Sequence, residues 1–288
     1  AYEQKKYYTL LVRERPTETL TTTRGCPFQC AFCYNTVRHY RKRSLENVMD
    51  ELCGIYQRGI RHVEFVDDNF TLDRKHAMAV FAAILKEKMR LRLVIKSRVN
   101  VVDEELLKVA ADAGVYQISY GMESGVQHML DRMRKGTTVA QNERANRLTK
   151  QAGINSHTSW FFGFPGETPE SIEQTIDFIV RIKPTTANFG VFRPYPKTEA
   201  YDEARASGTL VGDWTPQSDY IPWVKLPWTN SRDDLVRYVW LAQRRTYFRP
   251  HYVLNFSREI LRNVNVTLAR YAWQEAWKVV RAAWLRRS

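Results

Sequence analysis

Three cysteines, Cys26, Cys30 and Cys33, fall in the stretch Arg24-Gly25-Cys26-Pro27-Phe28-Gln29-Cys30-Ala31-Phe32-Cys33-Tyr34. Soft thiolates grouped this closely suit an iron–sulfur cluster or zinc. A closed structural zinc site takes four ligands, and the nearest further candidate, His39, completes no familiar spacing. Three protein ligands on a cubane cluster leave one iron open to a small molecule. The fourth cysteine, Cys53, falls on the apolar side of a helical pattern and reads as a packed thiol rather than a ligand.

The elements that must carry this loop follow from periodicity. Short β-rich runs at Thr19–Arg24, His62–Val66, Leu91–Ser97, Tyr116–Tyr120, Ser156–Phe162 and Ala187–Phe192 alternate with helical patterns at Ser44–Gln57, Asp73–Lys88, Asp103–Ala113, Thr138–Gln151 and Thr168–Ile182. Ser44, Asp103 and Thr168 stand where helix caps belong, Pro169 occupies a first helical position, and Gly59, Gly114 and Gly153 follow helix ends. Right-handed crossovers curl such βα units into an α/β partial (β/α)6 parallel barrel, with ligands at the C-terminal ends of the strands. The cysteine loop follows the first strand and so lies at that end. Tyr195 to Asn230, with Pro196, Pro216, Pro222 and Pro227 beside Trp214, Trp223 and Trp228, reads as irregular covering structure, and a helix resumes at Ser231–Tyr247. The expected divisions are a lead-in over 1–18, the barrel over 19–200, an irregular and helical substrate-side extension over 201–255, and a basic, Trp-rich C-terminal helix over 256–288.

Cys-x3-Cys-x2-Cys with Phe32 before the last cysteine resembles the signature of radical S-adenosylmethionine (SAM) enzymes. Arg41–Leu52, Phe65–Asp73, Gly121–Gly125, Gly163–Thr168 and Pro194–Thr198 extend the likeness to the branch whose members join a cobalamin-binding domain to the radical SAM barrel. The resemblance runs from about residue 15 to residue 255. It implies a [4Fe–4S] cluster on Cys26, Cys30 and Cys33, with SAM chelating the open iron and reductive cleavage giving a 5′-deoxyadenosyl radical. It also implies that Glu123 accepts hydrogen bonds from the ribose; a charge interaction with the following Ser124–Leu130 helix is the competing role. Asp68 and Asn69, beside Asp67, stand where the methionine amino group is held, with a turn role competing and the choice among the three open. Arg98 is placed to hold the SAM carboxylate or to bridge to the cluster loop, and Gly163, Phe164 and Pro165 to let backbone approach the adenine. One departure is Lys197, standing where relatives often have Gly after Pro-Tyr-Pro, a strained choice if the position is left-handed. The other is the missing cobalamin domain: 25 residues precede Cys26, and a domain takes on the order of 100.

The 288 residues carry 44 Lys+Arg against 31 Asp+Glu, a net charge of +13. With 44% hydrophobic residues the composition is that of a globular protein, which excludes a disordered chain, and four cysteines exclude a disulfide scaffold. No apolar run reaches the ~18 residues that cross a bilayer, and the expected location is cytoplasmic. Basic residues crowd the C-terminal end among Trp273, Trp277 and Trp284, which reads first as a terminal helix packed on the barrel with solvated arginines, next as peripheral association with a membrane surface, and last as a nucleic-acid site. A second basic run, Arg38 to Arg43, lies beside the cysteines. The function these features imply is reductive SAM cleavage to modify an unactivated carbon. The leading form is cobalamin-linked C-methylation of an apolar, isoprenoid or tetrapyrrole-like substrate, with cobalamin held by a domain or partner outside this chain and electrons from a flavodoxin- or ferredoxin-type donor. Competing readings are a radical SAM cyclase or rearrangement enzyme, a tRNA-modifying radical SAM enzyme, and a non-catalytic zinc-stabilised basic module.

Overall fold

Strand-forming runs and capped helices alternate along the chain, and the computed structural model, which describes residues 16–34, 37, 39–214, 221–249 and 252, turns that alternation into a curved parallel sheet. The sheet opens with β1 (Thr17–Leu20). The chain then leaves it for a small antiparallel ribbon of β2 (Thr23–Arg24) with β3 (Arg41–Lys42). Helix α1 (Leu45–Gln57) leads to β4 (His62–Phe65), and α2 (Arg74–Lys86) leads to β5 (Arg92–Ser97). A 3-10 turn at Val99–Val101 and α3 (Glu104–Asp112) precede β6 (Val115–Glu123). The short α4 (Gln127–Arg132) and α5 (Val139–Gln151) lead to β7 (Asn155–Phe162), and α6 (Pro169–Ile182) to β8 (Thr186–Val191). Beyond the sheet come α7 (Glu199–Ala206), the two-stranded β9 (Leu210–Val211) and β10 (Trp223–Val224), and α8 (Arg232–Tyr247).

The six long strands are parallel in the order β1-β4-β5-β6-β7-β8, the arrangement of a partial (β/α)6 barrel. The expected caps form. Ser44, Asp103 and Thr168 accept backbone N–H groups of their own first turns, Pro169 sits at the helix start, and Gly59, Gly114 and Gly153 take φ of +83°, +97° and +75°. Each such cap contributes about 1 kcal/mol by satisfying an otherwise orphaned donor.

Pleating sends alternate side chains to opposite faces. One face carries Leu20, Phe65, Leu93, Ile95, Ile118, Tyr120, Trp160 and Phe162, all at most 2% exposed. Contacts identify it as the helix side: Tyr120 Oη meets Thr149 of α5 at 2.9 Å, and Trp160 packs edge-on against Phe178 of α6. The opposite face is the lumen.

Three boundaries differ from expectation. The first strand was expected at Thr19–Arg24, but pairing with β4 ends at Leu20. The Asp67 carboxylate takes the Thr22 and Thr23 N–H groups and the Thr22 hydroxyl, which pulls the chain out of the sheet. β6 continues past Tyr120 to Glu123 because a bulge between Gly121 and Glu123 lets it keep pairing with β7. The Tyr195–Asn230 stretch is not wholly irregular: Thr198 caps α7, a helix too short for its periodicity to stand out behind Pro196. The basic Trp-rich segment at 256–288 lies outside the described residues. Among the described residues no helix is long and apolar enough to cross a membrane.

Candidate active site

The cysteine loop connects β2 to β3 at the C-terminal ends of the strands, and its shape is imposed by backbone contacts from far along the chain. The Ala31 N–H donates to the Met133 carbonyl just past α4, at 2.9 Å, and the Ala31 carbonyl accepts from the Ala200 N–H in α7, at 3.0 Å. Ala31 is thereby buried between two elements, with Cys30 and Phe32 held on either side. At the other end of the loop, the Gly25 N–H donates to Asp68 Oδ2 at 3.1 Å. Gly25 has φ +92°, and a Cβ there would run into the carbonyls of Val37 and His39. Only glycine lets the chain pass this close.

Cys26 and Cys30 are half-buried and Cys33 is exposed. Burial pushes the Cys33 thiol up, and the neighbouring Cys30, Cys26 and Asp68 add to the rise against the pull of Lys135. A thiol whose ionisation its two neighbours discourage is one that a bound polynuclear cation would relieve. Among the described residues no three His, Cys, Asp or Glu side chains converge on a point the size of a single ion. Three soft thiols on one loop, near enough for Cys26 and Cys30 to act on Cys33, are the donor chemistry a [4Fe–4S] group takes. Cys53 stands apart on α1, its thiol raised by desolvation and by Glu87 and Asp50, but it is half-buried rather than packed in the core as expected, where Val48, Leu52 and Ile55 of the same helix lie.

Beneath the loop lies a network the sequence reading had only in part. Arg98, at the end of β5 and buried, places its guanidinium 3.7 Å from the Phe28 ring centroid. It donates to Cys30 Sγ at 3.5 Å and to the Lys135 carbonyl. Of the two roles expected for Arg98, the geometry is that of the bridge to the cluster loop. Glu123 pairs with Lys135, Nζ to Oε1 at 2.8 Å, with both side chains under a tenth exposed. The Lys135 ammonium also lies 5.4 Å from the Phe32 ring centroid. Glu123 adopts φ +62°, and its carboxylate folds back over Gly121, where any Cβ would strike it. Its competing role as a charge at a helix start is not what forms, since α4 begins at Gln127 and the carboxylate turns to Lys135 instead.

The three polar residues after β4 separate cleanly. Asp67 is spent on Thr22 and Thr23, and Asp68 faces the loop through Gly25. Asn69 is 1% exposed, accepts the Arg98 N–H through Oδ1, and leaves Nδ2 without a partner among the described residues. An orphaned buried amide at the mouth of the strands is what a ligand would complete.

The Gly163-Phe164-Pro165 turn closes the other side. Gly163 has φ +98°, and the close approach its missing Cβ permits is by Leu235 of α8. Phe164 packs against Phe192, 5.0 Å between ring centroids, and the Pro165 carbonyl accepts from Arg132. Glu167 braces the turn, its Oε2 accepting the Gly163 N–H at 2.5 Å while Oε1 has no partner. Burial pushes its carboxyl up to about 8. Lys197 takes φ +66°, the left-handed conformation the departure from Gly put in question, at a cost of about 1 kcal/mol. Tyr195 beside it stacks on Trp214 at 4.9 Å and faces Tyr34 of the cluster loop at 6.4 Å, three exposed rings at the edge of the loop. Two residues of the basic run are paired, Lys42 with Asp73 and Arg43 with Glu51, Arg41 is exposed, and Arg38 lies outside the described residues.

Lys135, Phe28, Glu167 and the Met133 and Ala200 clamps were missed by sequence reasoning. Lys135 follows a six-residue helix in a stretch without motif, and nothing local ties it to Glu123.

Comparison with known proteins agrees with this geometry. The radical SAM superfamily profile matches residues 20–179. An uncharacterized methyltransferase of Pyrococcus horikoshii is 32% identical over 240 residues, covering 82% of this chain and 52% of that protein. The anaerobic magnesium-protoporphyrin IX monomethyl ester cyclase of Cereibacter sphaeroides is 32% identical over 233 residues, 78% of this chain and 38% of that one. The chain thus spans about half the length, or less, of these relatives. Among solved structures, the radical SAM methyltransferase TsrM of Kitasatospora setae, with cobalamin and a [4Fe–4S] cluster bound, superposes with TM-score 0.63 at 24% identity, over 82% of this chain and 47% of that one. That likeness is one of fold.

Proposed function

The chain belongs to the radical SAM superfamily, and from that membership we propose that it cleaves SAM reductively to modify an unactivated carbon, most directly by C-methylation with cobalamin supplied by a domain or partner outside this chain. The observation that carries the reading is the loop of Cys26, Cys30 and Cys33: three thiols, two of which act on the third, at the C-terminal mouth of a parallel barrel. When bound, a reduced [4Fe–4S] cluster supplies the electron for SAM cleavage.

The protein's part is placement. Arg98 and Lys135 put two cations against the cluster loop, and that positive charge favours thiolate ligands and an anionic cluster. Glu123, with one oxygen on Lys135, offers its other oxygen to a ribose hydroxyl. Asp68 and Asn69 offer acceptor and donor groups to the methionine end, and Gly163, Phe164 and Pro165 form the wall for the adenine. Electrons come from an external flavodoxin- or ferredoxin-type donor. Ring closure is a second reading, favoured by the 32% identity to the cyclase.

The test is anaerobic reconstitution with iron and sulfide, followed by reduction with SAM. The expected result is about four irons per chain and release of 5′-deoxyadenosine. A colourless protein holding one zinc would sink the reading. Cys30→Ala is expected to lose iron and cleavage together, whereas Glu123→Gln, whose amide oxygen can still accept from Lys135, keeps the iron and binds SAM more weakly, read by equilibrium dialysis.

A further inference from the structure

The lumen face of the sheet is where this chain places polar residues that its folding does not use. Register fixes which of them share a level, because paired residues in parallel strands point to the same side. Lys96 of β5 pairs with Ser119 of β6, Ser119 with His157 of β7, and His157 with Thr186 of β8. One level towards the mouth, Gly121, Ser159 and Asn188 align; one further, Phe161 and Gly190. Phe161 touches Phe32 of the cluster loop, 5.1 Å between ring centroids. Four residues of strand separate Phe161 from His157, so the Lys96 level lies roughly 13 Å below the cluster loop. Between the two levels the Glu123 carboxylate lies over Gly121 with the Lys135 ammonium beside it.

Lys96 is the anomaly in this row. It lies on an interior strand, hydrogen-bonded on both sides, and its neighbours Ile95 and Ser97 are buried on the helix side. Yet Lys96 itself is exposed. A side chain in mid-sheet can meet water only if the face it points to is open. Val66 and Asn188, on the same face, are exposed too, and Val94, one level below, is buried but lies outside the main apolar core. Lys96 makes no ion pair or side-chain hydrogen bond among the described residues. The charged groups nearest on this face are Arg98 two positions along the chain, the Glu123–Lys135 pair over Gly121 one level towards the mouth, and Glu64 one level down on β4 opposite Val94; none is ion-paired with Lys96. His157 donates or accepts at Thr186 Oγ1, 2.8 Å away, and burial holds its imidazole below its ordinary value, so it stands as a neutral hydrogen-bonding group.

We propose that Lys96 anchors an acidic group of the substrate, a carboxylate or phosphate, inside the barrel lumen, with Ser119 and His157 on the same level completing its hydrogen bonds. An unpaired ammonium that reaches the open lumen can form a charge-assisted hydrogen bond to a carboxylate or phosphate, stronger than one to a neutral group. The proposal rests on the radical SAM reading, which makes the lumen the substrate chamber, and it adds a chemical class: a molecule with an acidic group opposite the carbon that reacts.

The test uses the reconstituted protein saturated with S-adenosylhomocysteine, so that the cofactor's own carboxylate site is filled. Binding of 4-(trifluoromethyl)benzoate, 4-(trifluoromethyl)phenyl phosphate and the uncharged 4-(trifluoromethyl)benzamide is followed by fluorine NMR. The wild-type chain is expected to bind at least one of the acids roughly tenfold more tightly than the amide, as a charge-assisted hydrogen bond should provide. Whichever acid is preferred tells carboxylate from phosphate. Lys96→Met, close in volume and uncharged, is expected to lose that preference, and Lys96→Arg to keep it. Equal binding of acids and amide by the wild type, or a preference that survives in Lys96→Met, overturns the proposal. Iron content and 5′-deoxyadenosine release from the wild type report separately on the radical SAM reading.

Discussion

Glu123 and Lys135 form the most demanding contact in the molecule. Both side chains are under a tenth exposed, so each charge has given up most of its hydration and relies on the other. Removing one partner strands the other. Lys135→Met is therefore expected to destabilise the fold by about 3–5 kcal/mol, whereas Lys135→Met combined with Glu123→Gln restores much of that loss, because neither charge then remains buried alone. Urea unfolding of the two single variants and the double measures the coupling; simple additivity would show that the pair does not form. The pair also explains why Glu123 tolerates φ +62°: the left-handed turn aims the carboxylate back over Gly121 at the ammonium.

The loop that carries the cysteines is an element without regular structure, and its conformation is stored in its neighbours. It is pinned at Ala31 by the ends of α4 and α7 and at Gly25 by Asp68 and the close passage of Val37 and His39. Gly25→Ala forces a Cβ into those carbonyls at φ +92°, so the reconstituted variant is expected to hold fewer irons per chain while its far-ultraviolet circular dichroism stays that of the wild type. Full iron loading would mean the loop rearranges freely. α8 depends on the barrel in a similar way, through Leu235, fully buried against Gly163. Leu235→Ala is expected to cost about 2–5 kcal/mol in denaturant unfolding, as removal of a buried leucine does.

For the molecule as a whole, the buried Glu167 ties stability to pH. Its carboxyl titrates at about 8 in the fold, against 4.5 for an ordinary glutamate, so the folded chain binds a proton that the unfolded chain has released. Between those values the native state holds more protons, and stability falls as pH rises from about 4.5 to 8, then levels off. Glu167→Gln removes the titrating group. The wild-type thermal midpoint is expected to drop relative to that of Glu167→Gln over this window, followed by differential scanning fluorimetry; parallel curves would place Glu167 in contact with water.

What the amino-acid sequence determined by itself is local: the thiol spacing, the βα rhythm, the caps at Ser44, Asp103 and Thr168, and the left-handed backbone at Lys197 all depend on residues within a few positions of one another. The order of the six strands followed because right-handed crossovers leave few alternatives. Tertiary structure decided what needs distant residues in one place. It spent Asp67 on Thr22 and Thr23, turned Arg98 onto Cys30, brought Lys135 under Glu123, and set Lys96 level with His157 in an open lumen. Each of these contacts joins different strands or loops, and no periodicity records such a meeting, because which charge finds which partner is fixed only when the sheet curls and the surrounding water is excluded.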